Sequence, residues 1–338
     1  MLRCCFNRGL CGMNFGQGSE LALPEAPRFG VLYFEAFPLQ RHAMCNYLDA
    51  AIEASFDVTV VTCAEDAVKQ MESGQYDILV CDIGPTPLIG LECLKRVKQS
   101  KRHLPIIAIL PIGTSYSFAL EVMQNGAHEY LRQDQLSHRT LTRALRRALN
   151  PARLSDELFD HRSIDGVTSL ANIATFGDRL RQALTRDDRH GCDVALLLLD
   201  IDDFAAINHQ YRYTSGNAVL LETAYRIVDC VRKQDTVARV GGNTFAVIFE
   251  SISSTDILQQ KVHQITQRIA QPYALGDAEV SLFASVGAGL RTDLAGCASH
   301  EFVDAIEQAL LAAKRRGGNC VQYASLAPTS GELEQAAE

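Results

Sequence analysis

The first half of the chain alternates short apolar runs with amphipathic stretches. The runs are Gly30–Phe34, Val58–Thr62, Ile78–Cys81, Ile106–Leu110 and Glu129–Leu131. Between them, Leu39–Glu53, Ala64–Ser73, Leu91–Ser100, Tyr116–Asn125 and Arg139–Leu149 place apolar residues at helical spacing. Strands that alternate with helices predict parallel βαβ units and a doubly wound, five-stranded α/β sheet. Ligand chemistry in such sheets lies at the carboxyl ends of the strands. The pattern changes after Asn150-Pro151, because proline disfavours helix at the residue before it. Beyond that point the order predicted is helix, long strand, helix, hairpin, helix, strand, helix, strand, an α+β unit. The longest apolar run, Val194 to Leu199, suits a buried strand and is far short of the roughly 20 residues that span a bilayer.

These patterns divide the 338 residues into a flexible leader (1–27), a first domain (28–150), a polar, acidic linker (151–162), a second domain (163–326) and a disordered tail (327–338). A formal net charge of −8 argues against a general nucleic-acid or anionic-membrane binder. The leader is interrupted by glycines, lacks the apolar core of a signal peptide, and has no glycine after Met1 for myristoylation. Its Cys4, Cys5 and Cys11 read as reduced thiols. The other cysteines scatter through apolar periodic segments, where thiols act as small core hydrophobes. An odd count of 11 without framework spacing points to a reducing, cytoplasmic setting.

In the first domain, Asp77-Ile-Leu-Val-Cys-Asp82 is a buried strand ending in an acid, Gly90 opens the next helix, and Gly126-Ala-His-Glu-Tyr-Leu131 precedes the last loop. This segment resembles the receiver domain of two-component response regulators. The resemblance implies that Asp82 occupies the phospho-acceptor position. It also implies partners for that acid which are missing here. After the first strand the segment Tyr33-Phe34-Glu35-Ala36 offers one acid instead of an adjacent pair for Mg²⁺. Gln133 stands where a lysine would neutralise the phosphoryl group, and Leu110, followed by Pro111, where a Thr or Ser would switch. Phosphoryl transfer needs the ensemble rather than one carboxylate, so Asp82 is expected to be inactive and the domain to serve interaction or dimerisation.

In the second domain, four motifs occur in order. They are Asp165-Gly-Val-Thr168-Ser-Leu170-Ala-Asn172, Leu199-Asp200-Ile201-Asp202-Asp203-Phe204 with Ile207-Asn208, Gly241-Gly242-Asn243-Thr244-Phe245, and Ala309 to Asn319 with Lys314 inside it. Together they are similar to the GGDEF family of diguanylate cyclases, which make cyclic di-GMP from two GTP molecules. The resemblance implies that Asp200 and the Ile201 carbonyl stand at metal-ligand positions, making Asp200 a vestigial metal candidate. It places Asn208, Asn217 and Lys314 at nucleotide-binding positions. Both hairpin acids are replaced, by Asn243 and Thr244, and a hydroxyl does not substitute for a carboxylate on a hard cation carrying phosphates. Asn217 stands in place of an aspartate, Ala205 in place of a lysine and Gly318 in place of an arginine. Gly241 and Gly242 are expected to supply the backbone freedom of the hairpin turn. No catalytic residue is therefore expected.

Arg232-Lys-Gln-Asp235 begins nine residues ahead of Gly241, the spacing of the family's RxxD site for cyclic di-GMP. Arginine forks to guanine N7 and O6 or to phosphate, and aspartate accepts from guanine N–H groups. Active relatives add a second arginine, for which Lys261, His263 and Arg268 are the nearby candidates. The reading is a bacterial cyclic di-GMP signalling protein, catalytically degenerate, acting as a receptor or adaptor through Arg232 and Asp235. Two alternatives stay open: a weak or heterodimer-dependent diguanylate cyclase, and a GTP-binding regulatory domain. Expected ligands are cyclic di-GMP and, on the alternatives, GTP with Mg²⁺; no other cofactor is implied. Expected partners are a further signalling protein and a second copy of the chain, without nucleic acid or a membrane span.

Overall fold

A computed structural model describes residues 28–35, 55–84, 87–100, 102, 104–149, 163–190, 193–211, 213–252, 254–275, 278–294 and 297–324. The leader, the helix expected over Leu39–Glu53, the linker, the tail, and Cys4, Cys5, Cys11, Cys45 and Cys192 lie outside the described residues. The chain forms two compact units.

Residues 28–149 carry β1 (Arg28–Phe34), β2 (Ser55–Val61), α1 (Ala64–Glu72), β3 (Ile78–Asp82), α2 (Pro87–Lys98), β4 (Ile106–Leu110), α3 (Tyr116–Gln124), β5 (Glu129–Arg132) and α4 (His138–Leu149). All strand pairs are parallel, in the order β2-β1-β3-β4-β5. β3 and β4 are buried along their whole length, as continuous apolar runs in a parallel sheet require. One face packs Val31, Tyr33, Ile78, Val80, Ile107 and Ile109 against Leu141, Ala144 and Leu145 of α4. α2 begins four residues earlier than the apolar spacing indicated, because proline is tolerated in a first helical turn. Its Gly90 lies against the backbone of Ile83, where a Cβ would fall 2.6 Å from Ile83 Cα.

The second unit carries α5 (Ile173–His190), β6 (Val194–Ile201), α6 (Phe204–Tyr211), α7 (Tyr213–Asp229), β7 (Thr236–Gly241), β8 (Thr244–Glu250), α8 (Thr255–Ile269), β9 (Tyr273–Leu275), β10 (Ala278–Val280), β11 (Ala284–Leu290), α9 (Ser299–Arg315) and β12 (Val321–Tyr323). Its five-stranded sheet runs β12-β11-β6-β8-β7, with β6 at the centre. β6 is buried at every position and pairs antiparallel with both β8 and β11. Two features depart from the sequence expectation. The helix after β6 is two helices, and β9 with β10 forms a separate antiparallel pair. Three-residue strands are too short to display an alternation. α9 lies directly on β11, since a Cβ at Gly287 would meet the Ile306 carbonyl oxygen at 2.3 Å. Among the described residues, no helix is long and apolar enough to cross a membrane.

Candidate functional site

Strand register assembles the first cluster. β6 delivers Asp200 at its carboxyl end, and the antiparallel pairing sets Thr244, the first residue of β8, directly opposite it. Cross-strand partners project on the same face. Thr244 Oγ1 donates to Asp200 Oδ2 at 2.7 Å. Asn243, in the two-residue turn between β7 and β8, donates its amide to Asp200 Oδ1 and to the Ile201 carbonyl, each at 2.7 Å. Lys314, in the last turn of α9, brings its ammonium to 2.9 Å from Asp200 Oδ1. Asp202 is engaged separately, accepting from Ser285 Oγ at 2.7 Å and from the Asn319 N–H at 2.8 Å.

This arrangement tests whether a divalent cation fits. Such an ion needs several oxygen acceptors, with carboxylates to balance its charge. Every side chain that contacts Asp200 in the cluster is instead a hydrogen-bond donor, and one carries a positive charge. Both hydrogens of the Asn243 amide are spent on the two groups that the resemblance assigned to metal. The residues present therefore do not fit a divalent ion. Among the described residues, no three His, Cys, Asp or Glu side chains are grouped to hold one.

Asn208 and Asn217 are the other positions that the resemblance assigned to nucleotide binding. Asn208 lies on α6, and its side chain is outside the described residues. Asn217 is half-buried on α7. Gly318, where the family resemblance led to an expected arginine, has φ +78°, and a Cβ there would fall 3.0 Å from Asp202 Oδ2. The loop is shaped for glycine. Left-handed backbone occurs at Gly317 and Gly318, and at neither Gly241 nor Gly242. The expectation that the hairpin glycines serve such freedom is thus corrected. Arg239 holds the turn instead: its Nε and Nη2 donate to the Gly242 carbonyl at 3.0 and 2.6 Å. Its Nη1 reaches both oxygens of Asp165 at 2.9 and 3.1 Å. Burial works to raise the Asp165 carboxyl. The Arg239 charge and the Thr168 N–H and hydroxyl override it, and the carboxyl sits below its ordinary value.

The Arg232–Asp235 turn lies at the other end of β7. Asp235 accepts the Arg232 N–H at 2.8 Å and the Glu250 N–H at 3.3 Å, one on each carboxylate oxygen. The Asp235 N–H closes the turn onto the Arg232 carbonyl at 3.0 Å. An Arg–Asp surface ion pair is not what forms here. The carboxylate is fixed by backbone, and the exposed Arg232 guanidinium makes no hydrogen bond or ion pair with the described residues. On α8, Lys261 Nζ reaches the Cys230 carbonyl at 3.3 Å, two residues from Arg232. Arg268 turns to Gln271 and Asp229, and His263 is exposed.

In the first unit, Asp82 ends β3 at the carboxyl edge of the sheet and is buried. It accepts the Gly84 N–H at 2.9 Å and the Tyr33 hydroxyl at 3.4 Å. Burial pushes its carboxyl above the ordinary value, against those two hydrogen bonds. Glu35, just after β1, is also buried. Leu110 ends β4 as a fully buried core residue, and Gln133 follows β5. Cys81 and Cys93 are wholly buried, consistent with thiols used as core hydrophobes. The Cys93 thiol contact, together with burial, pushes the Cys81 thiol well up and makes it inert.

Sequence reasoning missed Arg226. It is buried on α7 within the apolar positions Val219, Leu220, Ala224 and Ile227. Its guanidinium donates to the carbonyls of Arg268, Ile269, Gln271 and Pro272, at 2.5 to 3.3 Å. It also lies 3.8 Å over the Tyr273 ring. An arginine embedded in an apolar helical stripe was the available signal.

Residues 162–320 match the family model described as diguanylate cyclase, GGDEF domain, and residues 31–146 match the response regulator receiver domain. Among curated proteins, the chain is 36% identical over 175 residues to the bifunctional diguanylate cyclase/cyclic di-GMP phosphodiesterase MucR of Pseudomonas aeruginosa, covering 51% of this chain and 25% of that protein. It is 33% identical over 179 residues to the diguanylate cyclase TpbB of the same species, covering 52% of this chain and 41% of that protein. The chain thus spans less than half the length of these relatives. Among solved structures, the GGDEF domain of DgcB from Caulobacter crescentus, in complex with c-di-GMP, is 26% identical with a TM-score of 0.46, covering 49% of this chain and 95% of that one.

Proposed function

We propose that this chain, in which a response-regulator receiver domain is followed by a GGDEF domain, is a cyclic di-GMP signalling protein that binds the dinucleotide at the Arg232–Asp235 turn and does not synthesise it. The observation that carries this reading is the state of that turn. Asp235 is held in place by two backbone N–H groups, while the Arg232 guanidinium is exposed and has no competing partner among the described residues. A fixed acceptor and an uncommitted fork suit a guanine edge and a phosphate, and pre-organisation lowers the ordering cost of binding. Lys261, drawn to the Cys230 carbonyl two residues before Arg232, is a candidate second cation.

The receiver acts, on this reading, as an interaction module. Asp82 is buried among its own hydrogen bonds, without the lysine or the switch hydroxyl that phosphoryl transfer uses. The decisive experiment is calorimetric titration of cyclic di-GMP into the wild-type chain and Arg232→Ala. A dissociation constant in the micromolar range or below, weakened roughly ten- to a hundredfold by Arg232→Ala, is expected. Binding that ignores both Arg232→Ala and Asp235→Ala, or no binding well above micromolar concentrations, would leave an adaptor without this ligand.

A further inference from the structure

We propose that the Asp200 cluster is a self-occupied site, in which Lys314, Asn243 and Thr244 take the place of a divalent cation and Asp200 opposes rather than assists the binding of nucleotide polyphosphates. The inference rests on the reading that this domain does not turn over GTP. Its test is separate from that of the Arg232–Asp235 turn, because the two clusters lie at opposite ends of the six-residue β7, about 20 Å apart at ordinary strand rise.

The argument starts from valence. Asp200 Oδ1 accepts from the Asn243 amide and the Lys314 ammonium, and Oδ2 accepts from the Thr244 hydroxyl. The second hydrogen of the same amide satisfies the Ile201 carbonyl. Neither group has an unmet demand that a cation would answer. Charge gives the same result. Asp200 is almost fully buried, and the Lys314 ammonium balances its single negative charge. Asp202 does not add a second free carboxylate, since Ser285 and Asn319 take its two oxygens. A divalent ion would have to displace an ammonium and reorient an amide, with one carboxylate as the return.

The consequence reaches the nucleotide. In a metal site, a carboxylate helps a phosphate chain through the ion between them. Without that ion the carboxylate repels the chain and competes for the same lysine. Lys314 is 40% exposed at the side chain, so it is reachable from solvent yet already committed. Removing the charge of Asp200 while keeping its shape should release Lys314 to an incoming phosphate. A metal-ligand role for Asp200 demands the opposite outcome.

The test titrates N-methylanthraniloyl-GTP into the full chain as wild type, Asp200→Asn and Lys314→Met, in Mg²⁺ and in EDTA. The expected result is a wild-type affinity that changes less than about twofold between Mg²⁺ and EDTA, or is too weak to measure in both. Asp200→Asn should tighten binding by roughly fivefold or more in EDTA, a change of about 1 kcal/mol, and Lys314→Met should not. Wild-type binding that needs Mg²⁺ and is lost in Asp200→Asn would overturn the proposal, as would an Asp200→Asn chain that binds no better than wild type. Electron paramagnetic resonance of added Mn²⁺ provides a check on the wild-type fold. No bound Mn²⁺ that Asp200→Asn removes is expected, and a bound ion that it does remove would overturn the proposal.

Discussion

The Asn243 amide and the Asp200 carboxylate meet at 2.7 Å, where the turn of the β7–β8 hairpin reaches the end of β6. The pair turns an acid that the fold places at a strand end into a satisfied structural group. Lys314 and Thr244 complete it, and the cluster as a whole presents donors where two-metal phosphoryl chemistry needs acceptors.

Turnover of GTP should therefore be absent. Incubation of the purified chain with GTP and Mg²⁺ or Mn²⁺, followed by chromatography, is expected to yield no cyclic di-GMP above a no-enzyme control. Loss of electrostatic stabilisation at such a site costs on the order of 3–4 kcal/mol, a factor of about 10²–10³ in rate. Restoring Asn243→Asp with Thr244→Glu is expected to give little recovery, because Gly318 cannot supply the arginine and Lys314 still covers Asp200. Product that disappears in Asp200→Ala would refute this account.

Asp82 should not take up a phosphoryl group from a small phosphodonor with Mg²⁺, and intact-mass spectrometry should show no added mass. The same residue makes a pH prediction. Burial raises its carboxyl in the folded state, so its protonated form is the one the fold favours. The folded unit is then least penalised below the unfolded carboxylate range and loses stability as pH rises through the raised value. Asp82→Asn should accordingly raise the melting midpoint at neutral pH, with a gain that shrinks on acidification. A midpoint that falls at neutral pH would show that the ionised carboxylate is needed.

Arg226 should be one of the largest single contributors to the second unit. It satisfies the carbonyls at the end of α8 and covers the Tyr273 ring, which in turn bonds Thr223 at 3.1 Å. Arg226→Met leaves those carbonyls without their charged donor and is expected to cost about 2–4 kcal/mol. Chemical denaturation followed by circular dichroism measures it. A loss under about 0.5 kcal/mol, the size of an ordinary surface change, would contradict the role assigned here.

Arg239 and Asp165 clamp the hairpin turn to the opening loop of the domain, and both side chains are largely buried. Arg239→Met should destabilise by roughly 1–3 kcal/mol near neutral pH. The Asp165 carboxyl is depressed in the folded state. Its contribution is therefore present above the ordinary carboxylate range and fades as pH falls through the depressed value. The difference between wild type and Arg239→Met should shrink in acid, and a pH-independent difference would point to lost packing alone.

The sequence by itself determined the parallel pairing of the first sheet, a buried strand at Val194–Leu199 and the family of each half. These follow from continuous apolar runs alternating with a 3.6-residue periodicity and from motifs that are local in the chain. It also named the altered hairpin, because Asn243 and Thr244 can be read without coordinates. What it did not decide is where the donors of those residues point. Asp200 and Thr244 are 44 positions apart, and Asp200 and Lys314 further still. Only the antiparallel register of β6 with β8, and the seating of α9 on Gly287, bring the three groups to one place. The same holds for Asp235, whose spacing from Arg232 suggests a pair, while the turn gives its oxygens to backbone N–H groups instead. Hydrogen-bond direction depends on backbone geometry at a few tenths of an ångström, and tertiary packing alone sets that.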